Sequence, residues 1–296
     1  MTQPQSAALP IAAALFAVTA WGLTAPITKI AVHLFDPLAV AVLRTALAGV
    51  ATVPLALAMR LRLPARGAHW SLLLASAFCA FVAFPLLYCA GLQSTTAARS
   101  VLIMAGMPVL TGLYAALFER RWPVRRWWLG SSLALLGEVL LIGDRPPAGG
   151  AGDGTPLGDA LIVLAALTAS FGYVAGGRLQ QQGYSPWATA FWGVGLATPV
   201  VAPLLFFIPL TTAPGGSVVL AWSAAGYLAL VSTVIAYVAW YWALGRGGIG
   251  RMATIQFLQP VVGVIASVAW LGEALTPPML AATAAIMAGV VIVQRR

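Results

Sequence analysis

The sequence predicts an all-α integral membrane protein in which ten transmembrane helices form two inverted five-helix repeats around a central cavity. Three observations predict it. Of the 296 residues only 8% are charged and 61% are hydrophobic, with a mean hydropathy of +0.93, whereas a soluble domain carries roughly 25% charged residues. Apolar runs of about 20 residues, the length that crosses a bilayer as a helix, recur along the whole chain. The chain also comes into register with itself at a shift of 152 positions, which sets Arg99 over Arg251, Pro108 over Pro260 and Gly137 over Gly289. Leu and Val coincidences are expected in so apolar a chain, so the weight rests on the Arg, Pro and Gly pairs.

Taken in order, the apolar runs are 10–32, 37–59, 70–87, 95–118, 127–142, 158–177, 186–209, 221–245, 249–271 and 276–293. The first follows an N-terminus with no basic cluster, so it reads as a retained span rather than a cleaved leader. Prolines 64, 123, 146, 147, 156 and 214 fall in the connections and prolines 277 and 278 at the very start of the last run, where a missing N–H costs no helical bond. The Gly-, Pro- and Asp-rich stretch after the fifth run divides the chain into residues 1–145 as the first repeat, 146–157 as an outer linker and 158–296 as the second repeat. Continuous runs of this length exclude an outer-membrane barrel, whose strands are about half as long.

The charges orient these spans. With the N-terminus inside, the inner connections hold Arg60, Arg62 and Arg66, then Arg120, Arg121, Arg125 and Arg126, then Arg178, then Arg246 and Arg251, with Arg295 and Arg296 on the tail. Arg145 alone falls in an outer connection, and Lys29, Arg44 and Arg99 lie in spans or at their ends. The positive-inside bias therefore places both termini in the cytoplasm and accounts for the net charge of +9 without a nucleic-acid partner. Five spans in each half force the second half to enter from the opposite side, which makes the repeat inverted. That arrangement lets two similar units rock around a midplane site and open it alternately.

Candidate site residues come from polar groups inside the spans. In the ninth run Gln256 and Gln259 share a helical face, and their repeat partners in the fourth are Met104 and Met107. A polar pair opposite adaptable thioethers suits both ends of a hydrophobic amino acid; cross-helix bonding as packing is the other reading. Tyr237 and Tyr241 recur at helical spacing beside Trp240 and Trp242, and Trp21 and Thr24 share a face of the first run, with Tyr173 near the corresponding place in the sixth. Aromatic rings can stack on a substrate side chain or an ammonium, but they also gather at membrane interfaces. Arg44 can hold a carboxylate through its planar fork or bond a neighbouring helix. Lys29 and Arg99, nearer the outer surface, are candidate gating residues. Pro108 and Pro260, at repeat-equivalent places within spans, are candidate hinges.

Several motifs in this order resemble the EamA-type branch of the drug/metabolite transporter superfamily. They are Trp21-Gly22 followed by Lys29, Arg44, the run from Tyr88 to Arg99, Pro108 with Glu119, Leu258-Gln259-Pro260, and Leu271-Gly272-Glu273. Within that branch the chain looks most like the aromatic amino-acid exporters of the YddG type. Leu23 after Trp21-Gly22, and Phe171-Gly172 in place of a Trp-Ala pair, depart from the pattern. The resemblance implies a cavity lined by spans one to four and six to nine, peripheral spans five and ten, location in the bacterial cell inner membrane, and export of small metabolites, often amino acids. Export of drugs or other metabolites is the alternative, and a passive channel or membrane scaffold is the reading of another class.

No enzyme chemistry is expected: the chain has neither an H-E-x-x-H metal pair nor a Walker A loop, which excludes ATP hydrolysis by this chain. No cofactor or metal is expected, and a monomer is expected to suffice for transport. Glu138, the one acid placed well inside a span rather than at its edge, falls near the outer end of the fifth run, where snorkelling or a subunit contact is expected. Facilitated diffusion and proton antiport both stay open.

Overall fold

The computed structural model describes residues 8–31, 34–92, 94, 103–143, 155–211, 217–271 and 276–295. Among the described residues the regular structure is helical, apart from an isolated bridge between Phe35 and Thr211. Six helical rods among the described residues are long and apolar enough to cross a membrane: Leu38–Ala58, Gly67–Tyr88, Pro156–Gln181, Pro186–Phe206, Val218–Gly247 and Pro277–Gln294. Ala8–Gly22 and Met107–Glu119 are apolar but shorter.

The shorter pieces come from breaks that proline explains. The first run divides at Leu23 into α1 (Ala8–Gly22) and α2 (Thr24–Ala31). Pro26, lacking an N–H, cannot serve the carbonyl of Gly22. The second run is α3 (Pro37–Ala58), and the third is a rod made of α4 (Gly67–Ala77), a π-helical stretch Phe78–Ala83 and α5 (Phe84–Leu92). In the fourth run the chain turns at Ala105 and Gly106 before α6 (Met107–Glu119), with Pro108 in the first turn of that helix. Next come α7 (Arg125–Gly143), α8 (Pro156–Gln181) and α9 (Pro186–Val201), the last running into a 3-10 turn Ala202–Phe206. The eighth rod is α10 (Val218–Gly226), a π-helical stretch Tyr227–Ile235 and α11 (Ala236–Gly247). α12 (Ile249–Ala253), a 3-10 stretch Thr254–Leu258 and α13 (Gln259–Leu271) follow, and α14 (Pro277–Gln294) ends the series.

Four helices begin with a capping residue followed by proline. Asp36, Thr155, Ser185 and Thr276 each accept a first-turn backbone N–H, and Pro37, Pro156, Pro186 and Pro277 occupy the position where the ring is pre-set for a helix. α8 thus starts at Pro156, inside the linker expected to run to residue 157. The two π-helical stretches are related as well, because Phe78–Ala83 shifted by 152 positions falls on 230–235, within Tyr227–Ile235.

α8 is the middle of the packing, in contact with α4, α5, α6 and α11. α1 lies on α11 and α13, and α3 lies on α9 and on the stretch Tyr227–Ile235. α7 and α14 pack tightly against each other. A Cβ on Gly130 would lie 2.5 Å from the carbonyl of Gly289, and one on Gly137 would lie 2.8 Å from the carbonyl of Ala282. Moving seven residues up one helix moves seven down the other, so the pair is antiparallel. Only glycine lets the backbones approach this closely.

Candidate functional site

The α1, α8 and α11 helices bring four aromatic side chains together. The ring of Trp21 stacks on that of Tyr173, with centroids 5.7 Å apart and planes 12° apart. Tyr237 and Trp240 meet Trp21 edge-on at 5.3 Å and 5.4 Å, and both also contact Tyr173, each at 5.8 Å. Phe81, from the first π-helical stretch, closes on Tyr237 at 4.6 Å. Trp21, Tyr173, Tyr237 and Trp240 are each no more than 6% exposed. Edge-to-face and offset contacts at these spacings are the favourable arrangements of aromatic quadrupoles.

A polar edge borders the aromatic cluster, built on the π-helical stretch Tyr227–Ile235. Trp21 donates from its indole Nε1 to the carbonyl of Ser232 at 2.9 Å, and Thr24 Oγ1 pairs with Ser232 Oγ at 3.0 Å. Arg44, half-buried on α3, donates from Nε to Thr233 Oγ1 at 2.6 Å and from Nη2 to Ser232 Oγ at 3.2 Å. Thr233 Oγ1 in turn donates to the carbonyl of Leu228, five residues back, at 2.8 Å. That bond follows the i→i+5 winding of the stretch, which turns Ser232 and Thr233 toward Arg44. Such windings are frequent at functional sites. The site therefore offers one fixed cation with two hydroxyls on one side and stacked rings on the other. A planar guanidinium in this position can exchange hydroxyl partners for a carboxylate.

Other expected site residues lie farther out or behind the rings. Tyr241 is fully buried; its ring crosses Gly176 and its hydroxyl pairs with Ser76 Oγ at 2.8 Å, so it ties α11 to α8 and α4. Met107 is buried in the same core as Trp21, its carbonyl accepting from Ser170 Oγ at 3.3 Å, and Met104 packs at the edge of that core. Gln256 is 5% exposed, and among the described residues its Oε1 has no hydrogen-bond partner. Gln259 opens α13, where its carbonyl lies beside Gly22, next to Trp21. Pro108 and Pro260 both sit in the first turn of a helix that follows a break, after the turn at 105–106 and the 3-10 stretch Thr254–Leu258 respectively. Arg99 and the side chain of Lys29 lie outside the described residues, as does the linker as far as residue 154.

The profile of the EamA-like transporter family matches the chain twice, over residues 8–143 and again over 156–295. This chain belongs to the EamA-like transporter family. It is 32% identical over 281 residues to the uncharacterized transporter YdeK of Bacillus subtilis, covering 91% of each chain. It is also 29% identical over 291 residues to a probable amino-acid metabolite efflux pump of Salmonella typhimurium, covering 94% of this chain and 92% of that one. A solved crystal structure superposes with a TM-score of 0.81 over 96% of both chains at 20% identity, a likeness of fold. An EamA-like protein is a multi-pass membrane transporter for small molecules and not an enzyme.

In this EamA-like transporter, Ser232, Phe81 and Ser76 join the site without having been expected there. Trp240, which sequence position left as an interface candidate, is fully buried. Glu138 corrects its expectation more sharply. It is 2% exposed, and among the described residues neither its Oε2 nor Ser131 Oγ, two turns away on the same face of α7, has a hydrogen-bond partner. A buried carboxyl is not snorkelling to the surface. It belongs to the packed side of α7, one turn from Ala134, whose backbone N would lie 2.7 Å from a Cβ on Gly289 of α14.

Proposed function

We propose that this EamA-like transporter exports amino acids, with hydrophobic and aromatic ones preferred and broad selectivity, by alternating access between two inverted five-helix repeats. Ten spans, both termini in the cytoplasm and location in the bacterial inner membrane belong to the same reading. The observation that carries it is the cluster of Trp21, Tyr173, Tyr237 and Trp240 against the Arg44–Ser232–Thr233 edge. Arg44 would take the carboxylate and the rings the apolar side chain, by stacking that tolerates many shapes. The similarity to a probable amino-acid metabolite efflux pump supports the substrate class.

Symmetry supports the mechanism. Trp21 and Tyr173 are 152 positions apart, and so are Gly137 and Gly289. The close contacts Gly130–Gly289 and Gly137–Ala282 exchange into one another under the same shift, as a two-fold axis between antiparallel helices requires. The test is efflux of labelled phenylalanine from liposomes carrying the purified chain, in competition with each other amino acid, with and without a proton gradient. Saturable efflux inhibited most by aromatic and large aliphatic amino acids is expected. Absence of any saturable amino-acid flux would refute the substrate class, and competition by unrelated drugs alone would favour drug export.

A further inference from the structure

At the arginine-rich end of the bundle, α6 and α14 finish where α7 and α12 begin, and between them lies a groove of about 730 Å3. That volume falls within the roughly 300–1,000 Å3 of small-molecule sites. Arg121, Arg125 and Arg126 line it from the first half, and Arg251 and Arg295 from the second. Glu119 is the one carboxylate among the lining residues. The positive-inside rule asks for basic connections but does not require arginines from three separate segments to converge on one concavity.

The groove is built rather than loose. Trp127, 5% exposed, donates from Nε1 to the carbonyl of Gly250 at 3.0 Å and so ties the first turn of α7 to the start of α12. Arg251 is held from the other side, donating to the carbonyl of Gln294 at 3.0 Å. The first turn of α7, a helix of 19 residues, faces the groove and adds the positive end of its backbone dipole. The rim is apolar: Trp122 and Val124 are 72% and 71% exposed. Leu117, one turn back on α6, is exposed too. An exposed Trp beside clustered arginines at a helix end is the arrangement of a membrane–water interface.

We propose that this groove binds the phosphodiester headgroup of an anionic phospholipid, with the arginines on the phosphate and Trp122 and Val124 against the glycerol and upper acyl chain. The chemistry shared with free phosphate is the anion; the apolar rim selects the lipid. Because the lipid bridges Arg121 and Arg125 of one half to Arg251 and Arg295 of the other, its binding stabilises the assembled bundle.

The test is thermal unfolding of the purified full chain in phosphatidylcholine nanodiscs with and without phosphatidylglycerol. Phosphatidylglycerol is expected to raise the midpoint by about 3 °C or more. The rise is expected to vanish in Arg121→Gln with Arg295→Gln and to persist in Arg60→Gln with Arg62→Gln, a pair outside the groove. Equal loss in both pairs, or no rise in the wild type, overturns the proposal. The same rise with inorganic phosphate in phosphatidylcholine discs overturns the lipid as its source. Should the groove variant fail to fold, mass spectrometry of the wild type released from mixed discs decides. Retained phosphatidylglycerol in preference to phosphatidylcholine is expected, and equal retention overturns the proposal.

Discussion

Trp21 and Tyr173 stack 5.7 Å apart, centroid to centroid, although 152 positions of chain separate them. The same shift relates the two halves, so each ring meets its own counterpart. In the proposed inverted-repeat arrangement, residues that touch their counterparts lie on the axis relating the two repeats, and rocking about that axis would rearrange this contact. The stack is therefore both wall and joint of the proposed site.

Trp21→Ala removes the ring shared by Tyr173, Tyr237 and Trp240, together with the hydrogen bond to Ser232. An aromatic contact contributes about 0.5–1.5 kcal/mol beyond its area, so the half-saturation concentration for phenylalanine should rise about tenfold, equivalent to ~1.4 kcal/mol. Trp21→Phe should recover part of the loss. Initial rates in proteoliposomes over a range of phenylalanine concentrations check both variants.

Arg44→Lys keeps the charge but loses the fork that reaches Thr233 and Ser232 together. Because bidentate recognition of a carboxylate needs that fork, Arg44→Lys should lower transport about tenfold and Arg44→Gln by more. An N-acylated, carboxyl-intact substrate should be affected equally, whereas an amino-acid amide should be nearly indifferent. Parallel uptake of the two analogues separates carboxylate recognition from a general packing defect.

Gly289→Leu drives a side chain into the carbonyl of Gly130 and the backbone at Ala134. Overpacking of this kind costs about 1–3 kcal/mol, and the α7–α14 pair should loosen before the aromatic site does. The midpoint of thermal unfolding in detergent should fall by several degrees. Gly226→Ala, at a helical position where a Cβ meets nothing within 4 Å, should not lower it.

Tyr184 lies in the connection between α8 and α9, and its hydroxyl donates to the carbonyl of Arg62 at 2.8 Å. Burial pushes its pKa from 10.0 up to about 12. An acid whose folded pKa lies above its unfolded one contributes fully below the unfolded value and loses that contribution as pH rises toward the folded one. This contact should thus hold below pH 10.0 and be lost between there and pH 12. Wild type and Tyr184→Phe should differ in unfolding free energy at pH 8 by about 1 kcal/mol, the usual worth of one hydrogen bond, and should converge as the pH is raised.

The sequence carried the helices well, because apolar length and cap–proline pairs such as Asp36-Pro37 and Thr276-Pro277 act locally. Trp21, Thr24, Arg44, Tyr173 and Tyr237 each stand out in the sequence as polar or aromatic groups within apolar runs, and the fold gathers them. What the sequence missed has a common cause. Ser232 is one small hydroxyl in a long apolar run, and it meets Arg44 only because residues 227–235 wind with five-residue bonds that hydropathy does not encode. Trp240 looks like an interface residue until α1 is known to cover it. The burial of Glu138 depends on how closely α7 meets α14, which rests on the placement of three glycines rather than on any periodicity.

The most direct measurement is counterflow of labelled phenylalanine into liposomes preloaded with unlabelled phenylalanine, for the wild type and Trp21→Ala side by side. Transient, saturable accumulation by the wild type and a shift of its half-saturation by about tenfold in the variant is the expected result. No accumulation by folded wild-type protein, or accumulation that Trp21→Ala leaves unaltered, would contradict a substrate site at the Trp21–Tyr173 stack.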